Sequence, residues 1–231
     1  MKVPLSARLL TCCNYVNQGD RVADIGCDHG YLGIHLLKTG IAQSIIAADI
    51  NEQPLHSATV NALKFGVRDK MRFFLSNGAV SIPRDFDTMV CAGMGADTMI
   101  SILTAAPWLK NEQYRLILQC QSKTPMLRRW LREQGWSIRR ETLAKDGKFV
   151  YSVMEVVFAS TEDPALWEHY ISKALLEDAS PLLPEYYDRI RQGLRLNVEG
   201  MRRSGSDELQ TYEETLSQLE ALEGKINEYS G

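Results

Sequence analysis

Short runs of Val, Ile, Ala and Leu recur along the first two thirds of the chain, separated by polar or glycine-containing breaks. They predict strands at 22–25, 44–49, 71–75, 88–92 and 115–120. Between them the apolar positions change to helical spacing, near 30–38, 53–65, 97–105 and 124–134. An amphipathic stretch at 5–16 precedes the first strand. Strands alternating with helices imply a largely parallel sheet covered on both faces. Two more strands, near 136–143 and 149–158, follow with no helix between them. Their connection, Ala144-Lys145-Asp146-Gly147-Lys148, contains Asp-Gly, a hairpin signal. The expected core is a seven-stranded α/β sheet that finishes in an antiparallel hairpin.

After Phe158 the pattern is helical throughout. Thr161-Glu162-Asp163-Pro164 predicts a helix start. Leu183, Tyr187, Ile190, Leu194, Val198 and Met201 recur at steps of four and three, as do Leu209, Tyr212, Leu216, Leu219, Leu222, Ile226 and Tyr229. Ser204-Gly205-Ser206-Asp207 between them reads as a stop followed by a cap. Two such helices form an antiparallel coiled-coil hairpin; an ordinary helical subdomain packed on the sheet has the same spacing. Two domains are expected, 1–158 and 159–231.

Charge sharpens that division. The net charge of −3 combines +5 over residues 1–160 with −8 over the rest. A basic larger part suits a polyanionic partner. No apolar run approaches the roughly 18 residues of a membrane span, and the N-terminus lacks a basic-then-apolar signal. The five cysteines form no CxxC pair, which fits reduced thiols and a cytoplasmic protein. His29, His35, His56 and His169 show no metal-ligand spacing.

The candidate chemistry begins at Val22-Ala23-Asp24-Ile25-Gly26-Cys27-Asp28-His29-Gly30-Tyr31-Leu32-Gly33. This is a strand, a tight glycine turn and a helix start, the place where an α/β sheet holds a nucleotide-like cofactor. One βαβ unit later Asp49 ends a strand, where a carboxylate suits ribose hydroxyls. A pyrophosphate needs bare glycine amides, and Asp28 in the loop would repel it. S-adenosylmethionine (SAM) presents a sulfonium and an ammonium, both cationic, so acidic residues are favourable there. The loop therefore argues for SAM over NAD. Seven strands with an antiparallel finish likewise resemble the Rossmann-like class I SAM-dependent methyltransferase fold. In such folds Asn77-Gly78 would meet the cofactor's adenine, although a plain Asn-Gly turn reads the same. Ala92-Gly93-Met94-Gly95, ending the fourth strand, would let the backbone approach a flat base with Met94 along it. A glycine turn with a core methionine is the alternative.

Several of these segments carry a closer resemblance. Leu5-Ser6-x-Arg8-Leu9, the Asp28-His29 loop, Ala48-Asp49-Ile50-Asn51, Asn77-Gly78, Ala92-Gly93-Met94-Gly95, Leu118-Gln119 and Lys148-Phe149-Val150-Tyr151 occur in this order. Together they resemble the bacterial tRNA (adenine-22, N1)-methyltransferase family, over roughly residues 5–158, and the helical C-terminal part fits the family's architecture. Two departures are visible. Gln119 continues as Cys120-Gln121-Ser122 where members often have Pro-Asn, and Ala96 follows Gly95 where a second glycine is common.

The resemblance implies methyl transfer from SAM to N1 of an adenine in the D-arm region of tRNA. It implies cofactor contacts at Asp24, Gly26, Asp28, His29, Gly30, Asp49, Ile50, Asn77, Gly78 and Gly93. Candidates at the reacting base are Asp28, His29, Met94, Asp97 and Gln119. Neutral adenine N1 already has a lone pair, so the task is mainly positioning, and a nearby carboxylate or amide favours the cationic product. Asp28 also reads as a cofactor-loop acid and Asp97 as a helix cap. The base must leave its stack to react, and Tyr31 could stack on it. Arg128, Arg129, Arg132, Arg139, Arg140, Lys145 and Lys148 form the densest basic stretch, opposed by Glu133, Glu141 and Asp146, and are the candidate phosphate contacts. Arginines on the first hairpin helix could extend this patch. A monomer is expected. A small-molecule methyltransferase and a non-catalytic binding module on the same fold remain the alternatives.

Overall fold

The computed structural model describes residues 2–159 and 164–229. Seven strands, β1 Arg21–Ile25, β2 Ser44–Asp49, β3 Met71–Leu75, β4 Thr88–Met94, β5 Arg115–Cys120, β6 Trp136–Asp146 and β7 Phe149–Phe158, form one sheet in the order β3-β2-β1-β4-β5-β7-β6. β1 to β5 run parallel, and β7 pairs antiparallel with both β5 and β6. The helices α1 Ala7–Cys13, α2 Tyr31–Lys38, α3 Glu52–Lys64, α4 Ala96–Ala105 and α5 Thr124–Glu133 fill the intervals. This is the expected seven-stranded α/β fold with its antiparallel finish.

The strand residues divide by parity, as a pleated sheet buried on both sides requires. Ala23, Ile25, Met89, Cys91, Leu116 and Leu118 pack on one face with Met99, Leu103, Leu127 and Leu131 of α4 and α5. Val22, Ile45, Ala47, Val90 and Ile117 pack on the other with Cys12, Ile34, Leu36 and Ala58 of α1 to α3. The strand order reverses between β1 and β4, and a crevice opens at that switch point.

The differences from expectation lie at element ends. α1 is shorter than 5–16. β4 continues to Met94 because Gly93, at φ +82, absorbs a register shift against β5. β6 extends through Asp146, to a tight turn on Gly147. All five cysteines are buried free thiols.

Beyond the sheet, a short 3-10 turn at Leu166–His169 leads to α6 Lys173–Asp178, α7 Leu183–Ser204, α8 Leu209–Glu220 and α9 Glu223–Asn227. Most of the expected helix start at 161–164 lies outside the described residues; Pro164 itself is in a coil. Ser172 caps α6 by accepting from Leu175 N at 3.0 Å. Gly205, at φ +67, ends α7. The returning helix is broken at Ala221–Leu222 into α8 and α9. Leu183, Tyr187, Leu194, Leu219 and Ile226 share a core with Leu143 and Val150 of β6 and β7. The hairpin is therefore seated on the antiparallel end of the sheet. Both sequence readings describe part of it.

Candidate active site

The crevice at the switch point is a cleft of about 710 Å³. The β1–α2 turn builds its floor. Gly26, Asp28 and Gly30 all take left-handed backbone, at φ 70, 48 and 71. Gly26 and Cys27 N–H groups donate to Ala48 O at 2.8 and 3.0 Å, which pins the turn to β2. An aspartate tolerates that conformation better than most residues. A side chain at Gly26 would meet Met94 Cε at 2.1 Å, and one at Gly78 would meet Ile102 at 2.9 Å. The left-handed backbone favours glycine at both positions; the branched Ile102 side chain crowds Gly78, whereas the neighbour at Gly26 is the flexible end of Met94.

Four carboxylates line the cleft, from Asp24, Asp28, Asp49 and Asp97, with Arg8 and His29 as the basic side chains. Asp24, the penultimate residue of β1, is 5% exposed and has one carboxylate oxygen, Oδ2, with no partner among the described residues. Burial pushes its pKa up to about 7, opposed by a hydrogen bond from Gly33 N–H. Asp49 accepts from Asn51 N at 3.0 Å and Asp28 N at 3.3 Å, so both its oxygens are oriented while keeping lone pairs for a ligand. Ser76 Oγ bonds Gly78 O and Ser81 N, which shapes the Asn77-Gly78 turn at the cleft's edge. An orphaned acid at one end and an oriented one further along fit a ligand with an ammonium and ribose hydroxyls. The donor set of SAM matches.

The structure gathers Asp24, Gly26, Asp28, His29, Asp49, Ile50, Asn77, Gly78, Gly93, Met94 and Asp97 around this cleft. Gly30 is not part of its wall: it precedes α2 and packs against Ala58. Gln119 requires correction. It is fully buried; its Oε1 accepts from Gly93 N at 3.1 Å and Arg8 Nη1 at 2.9 Å, and its amide donates to Cys120 O. With its amide engaged inside the protein, it shapes the Gly93 loop and does not meet a base. Asp97 is no helix cap either, since Gly95 holds that position; its Oδ2 accepts from Lys123 Nζ at 2.8 Å. Tyr31 lies on the wall, edge-on to Phe65.

Arg8, Leu9, Thr98, Ser101 and Ile102 also line the cleft and were not among the expected site residues. Arg8 reaches from α1 to Gln119 and, at 3.3 Å, to Asp146 at the end of β6. Its presence in Leu5-Ser6-x-Arg8-Leu9 was the available signal, but nothing local reveals a contact 111 residues away.

The basic stretch does not form one surface. Arg128 is fully buried and is withdrawn as a phosphate contact. Its guanidinium donates to Glu141, to His169 O and Tyr170 O, and to Tyr186 Oη. Arg132 is half-buried against Glu168 at 3.4 Å and is withdrawn as well. Arg140 bonds Glu155 and lies over the Tyr15 ring. Arg129 pairs with Glu133 and Lys145 with Glu185, both on the surface. Arg139 is exposed, and Lys148 lies 5.3 Å from the Phe149 ring. A helix turns about 100° per residue, enough to carry Arg128 into the core while its neighbour Arg129 stays on the surface. The hairpin arginines Arg191, Arg195 and Arg202 are tied to Glu223, Glu220 and Glu213, so they bind the helices together.

Comparison with known proteins decides the family. A family described as a methyltransferase domain matches residues 5–154. The tRNA (adenine(22)-N(1))-methyltransferase of Bacillus subtilis is 30% identical over 165 residues, which is 71% of this chain and 69% of that protein. The chain belongs to this family. A tRNA methyltransferase homologue from Mycoplasma genitalium is 32% identical over 157 residues, 66% of this chain and 69% of its own length. A Streptococcus agalactiae structure of the NADB-Rossmann superfamily superposes with a TM-score of 0.85 at 25% identity, covering 96% of this chain and 99% of that one. A Streptococcus pneumoniae structure, described as a candidate tRNA (m1A22) methyltransferase in complex with SAM, gives 0.80 at 27% identity, covering 92% and 100%. Both structures align over the sheet and most of the helical C-terminal part. No helix among the described residues is long and apolar enough to cross a membrane.

Proposed function

We propose that this protein transfers the methyl group of SAM to N1 of adenine 22 in tRNA. Family membership carries the reading, and the unpartnered Asp24 oxygen in a carboxylate-lined cleft is the observation in this chain that supports it. SAM supplies an electrophilic methyl on a sulfonium. Asp24 holds the ammonium end, Asp49 the ribose hydroxyls, and Asn77-Gly78 the adenine edge. Asp28 and His29 form the lip of the same loop. Gly93 and Met94, with Arg8 above them, form the platform for the target base.

Attack needs the N1 lone pair in line with the methyl and shielded from water. The buried Gln119 holds the Gly93 loop to Arg8, so it is a positioning residue. Methylation leaves a positive charge on the base. Asp97 and Asp28 stand in the cleft as carboxylates that favour that charge, and an N6 proton can then leave to solvent. Phosphate contacts fall to Arg139 and Lys148, with Arg129 and Lys145 available by exchange of weak surface ion pairs. The β6–β7 turn carries Lys148 and the exposed Phe149, and is joined to the cleft through Asp146 and Arg8.

The test is methyl transfer from labelled SAM to unmodified tRNA transcripts, followed by nucleoside analysis. N1-methyladenosine that disappears when adenine 22 is replaced is the expected outcome. SAM binding without label in any tRNA would overturn the reading in favour of a small-molecule substrate.

A further inference from the structure

A second cavity, of about 660 Å³, lies between α5 and the helical hairpin. Its wall includes Lys123, Arg129, His169, Tyr170, Asn197 and Tyr212. A shallower groove of about 450 Å³ connects it to the cofactor cleft. Asp97 borders both the cleft and the groove, while Met126, Arg129 and Glu133 border both the groove and the cavity. Trp130 lines the groove between them.

Resting on the tRNA reading above, we propose that this cavity holds a second nucleotide of the same strand, one that flanks the target adenine. The wall chemistry selects that occupant. Tyr170 and Tyr212 lie beside one another and offer aromatic surface for base stacking, which every base can use. Asn197, on the exposed face of α7, offers an amide to a base edge. His169 Nδ1 is buried with no hydrogen-bond partner among the described residues, so a polar group in the cavity would relieve it. Lys123 and Arg129 stand at the rim in exposed ion pairs with Asp97 and Glu133. Such pairs contribute little, and a phosphate can displace the carboxylates. Lys123 also holds a left-handed backbone, at φ 57, ahead of α5, a strained conformation that places it at the junction of the two pockets. A purely apolar partner would leave the amide and the imidazole unsatisfied. A flexible strand leaving the cofactor cleft past Trp130 would instead reach base-sized polar space lined with rings.

The experiment fills the cavity from its exposed rim. Thr211 lines it from α8 and is exposed, so Thr211→Trp occupies the space without disturbing a core residue. Wild-type protein and variant are compared on full-length tRNA, and on tRNAs made abasic at each position flanking the target in turn. The expected result is a KM for tRNA raised about tenfold in Thr211→Trp, with unchanged SAM affinity and melting temperature. One abasic position should cost the wild type a similar factor and cost the variant nothing more. Asn197→Ala, a smaller change on the opposite wall, should show the same coupling to that position in weaker form, and reports on the cavity if the tryptophan variant melts early. Additive penalties at every position, or an unchanged KM in both variants, would overturn the proposal. Failure of wild-type protein to methylate tRNA would instead overturn the function from which it starts.

Discussion

Asp24 concentrates the chemistry of the cleft in one side chain. It lines the ligand cleft, its Oδ2 is buried with no partner among the described residues, and burial raises its pKa to about 7. Two consequences of opposite sign follow. In the free protein, a carboxylate raised above its ordinary range holds its proton more tightly when folded than when unfolded. Its contribution to stability is therefore present at low pH and lost as pH rises through about 7. Binding an ammonium needs the ionised form, so SAM affinity should rise over that same interval. Titration calorimetry between about pH 6 and pH 8 should show tighter binding with increasing pH. Asp24→Asn should bind at least about tenfold more weakly, with little pH dependence. A pH-independent wild type would remove Asp24 from the ammonium site. Arg128 shows the other fate of a buried charge. Arg128→Ala would strand Glu141, which also accepts from Ser152 and Ser172, and should cost about 3–5 kcal/mol in denaturant melts. A loss below about 1 kcal/mol would mean the pair is no better than a surface contact. Arg128 and Asp24 also mark what could be read in advance. An aspartate closing a strand before a glycine turn has one direction to face. An arginine beside another arginine can face inward or outward, and its acceptor carbonyls at 169 and 170 lie beyond the reach of local pattern.

At the scale of elements, the sheet was legible because its central strands β1, β2, β4 and β5 are apolar on both faces and each break carries glycine, proline or a helical change of period. The turns that form the site were legible through their glycines. The lengthening of β4 was not, because it depends on a bulge at Gly93, which β5 skips in register and whose N–H is taken by the Gln119 side chain 26 residues later. The β1–α2 turn and the end of β4 form a single unit, since Gly26 and Met94 occupy adjoining space. Gly26→Ala tests that coupling. The added methyl would take the position now held by Met94 Cε and would sit at φ +70. The flexible methionine end can move, so the fold should survive with a cost of about 1 kcal/mol. The displaced side chain would intrude on the cofactor cleft, so SAM affinity should fall at least about tenfold. Recovery of binding in Gly26→Ala combined with Met94→Ala would show that crowding, and not backbone strain, causes the loss. No recovery would assign the loss to the turn itself.

Over the whole molecule, the change of pattern after Phe158 marked a boundary of secondary structure. The physical core crosses it. Leu143 and Val150 of the sheet are buried with Leu175, Leu176 and Leu183 of the helical part. Arg128 donates to carbonyls at His169 and Tyr170, and Glu141 accepts from Ser172. Glu168 binds Arg132 and Lys173. The helices therefore do more than extend a surface, because they complete the desolvation of a charge pair whose two members come from α5 and β6. A chain ending at residue 158 would keep all seven strands and the whole cofactor cleft, yet leave this pair open to water and two apolar strand residues uncovered. We predict that residues 1–158 alone melt about 10 °C lower than the full chain, bind SAM when folded, and aggregate on warming through the exposed end of β6 and β7. Residues 159–231 alone should show helix without a cooperative melt, since their core takes Leu143 and Val150 from the sheet. Equal melting temperatures for the fragment and the full chain would make the two parts independent, with the hairpin serving the substrate alone. A large difference would mean that the element proposed to border the second nucleotide site is also the one that holds α5, and with it Lys123 and Arg129, in place.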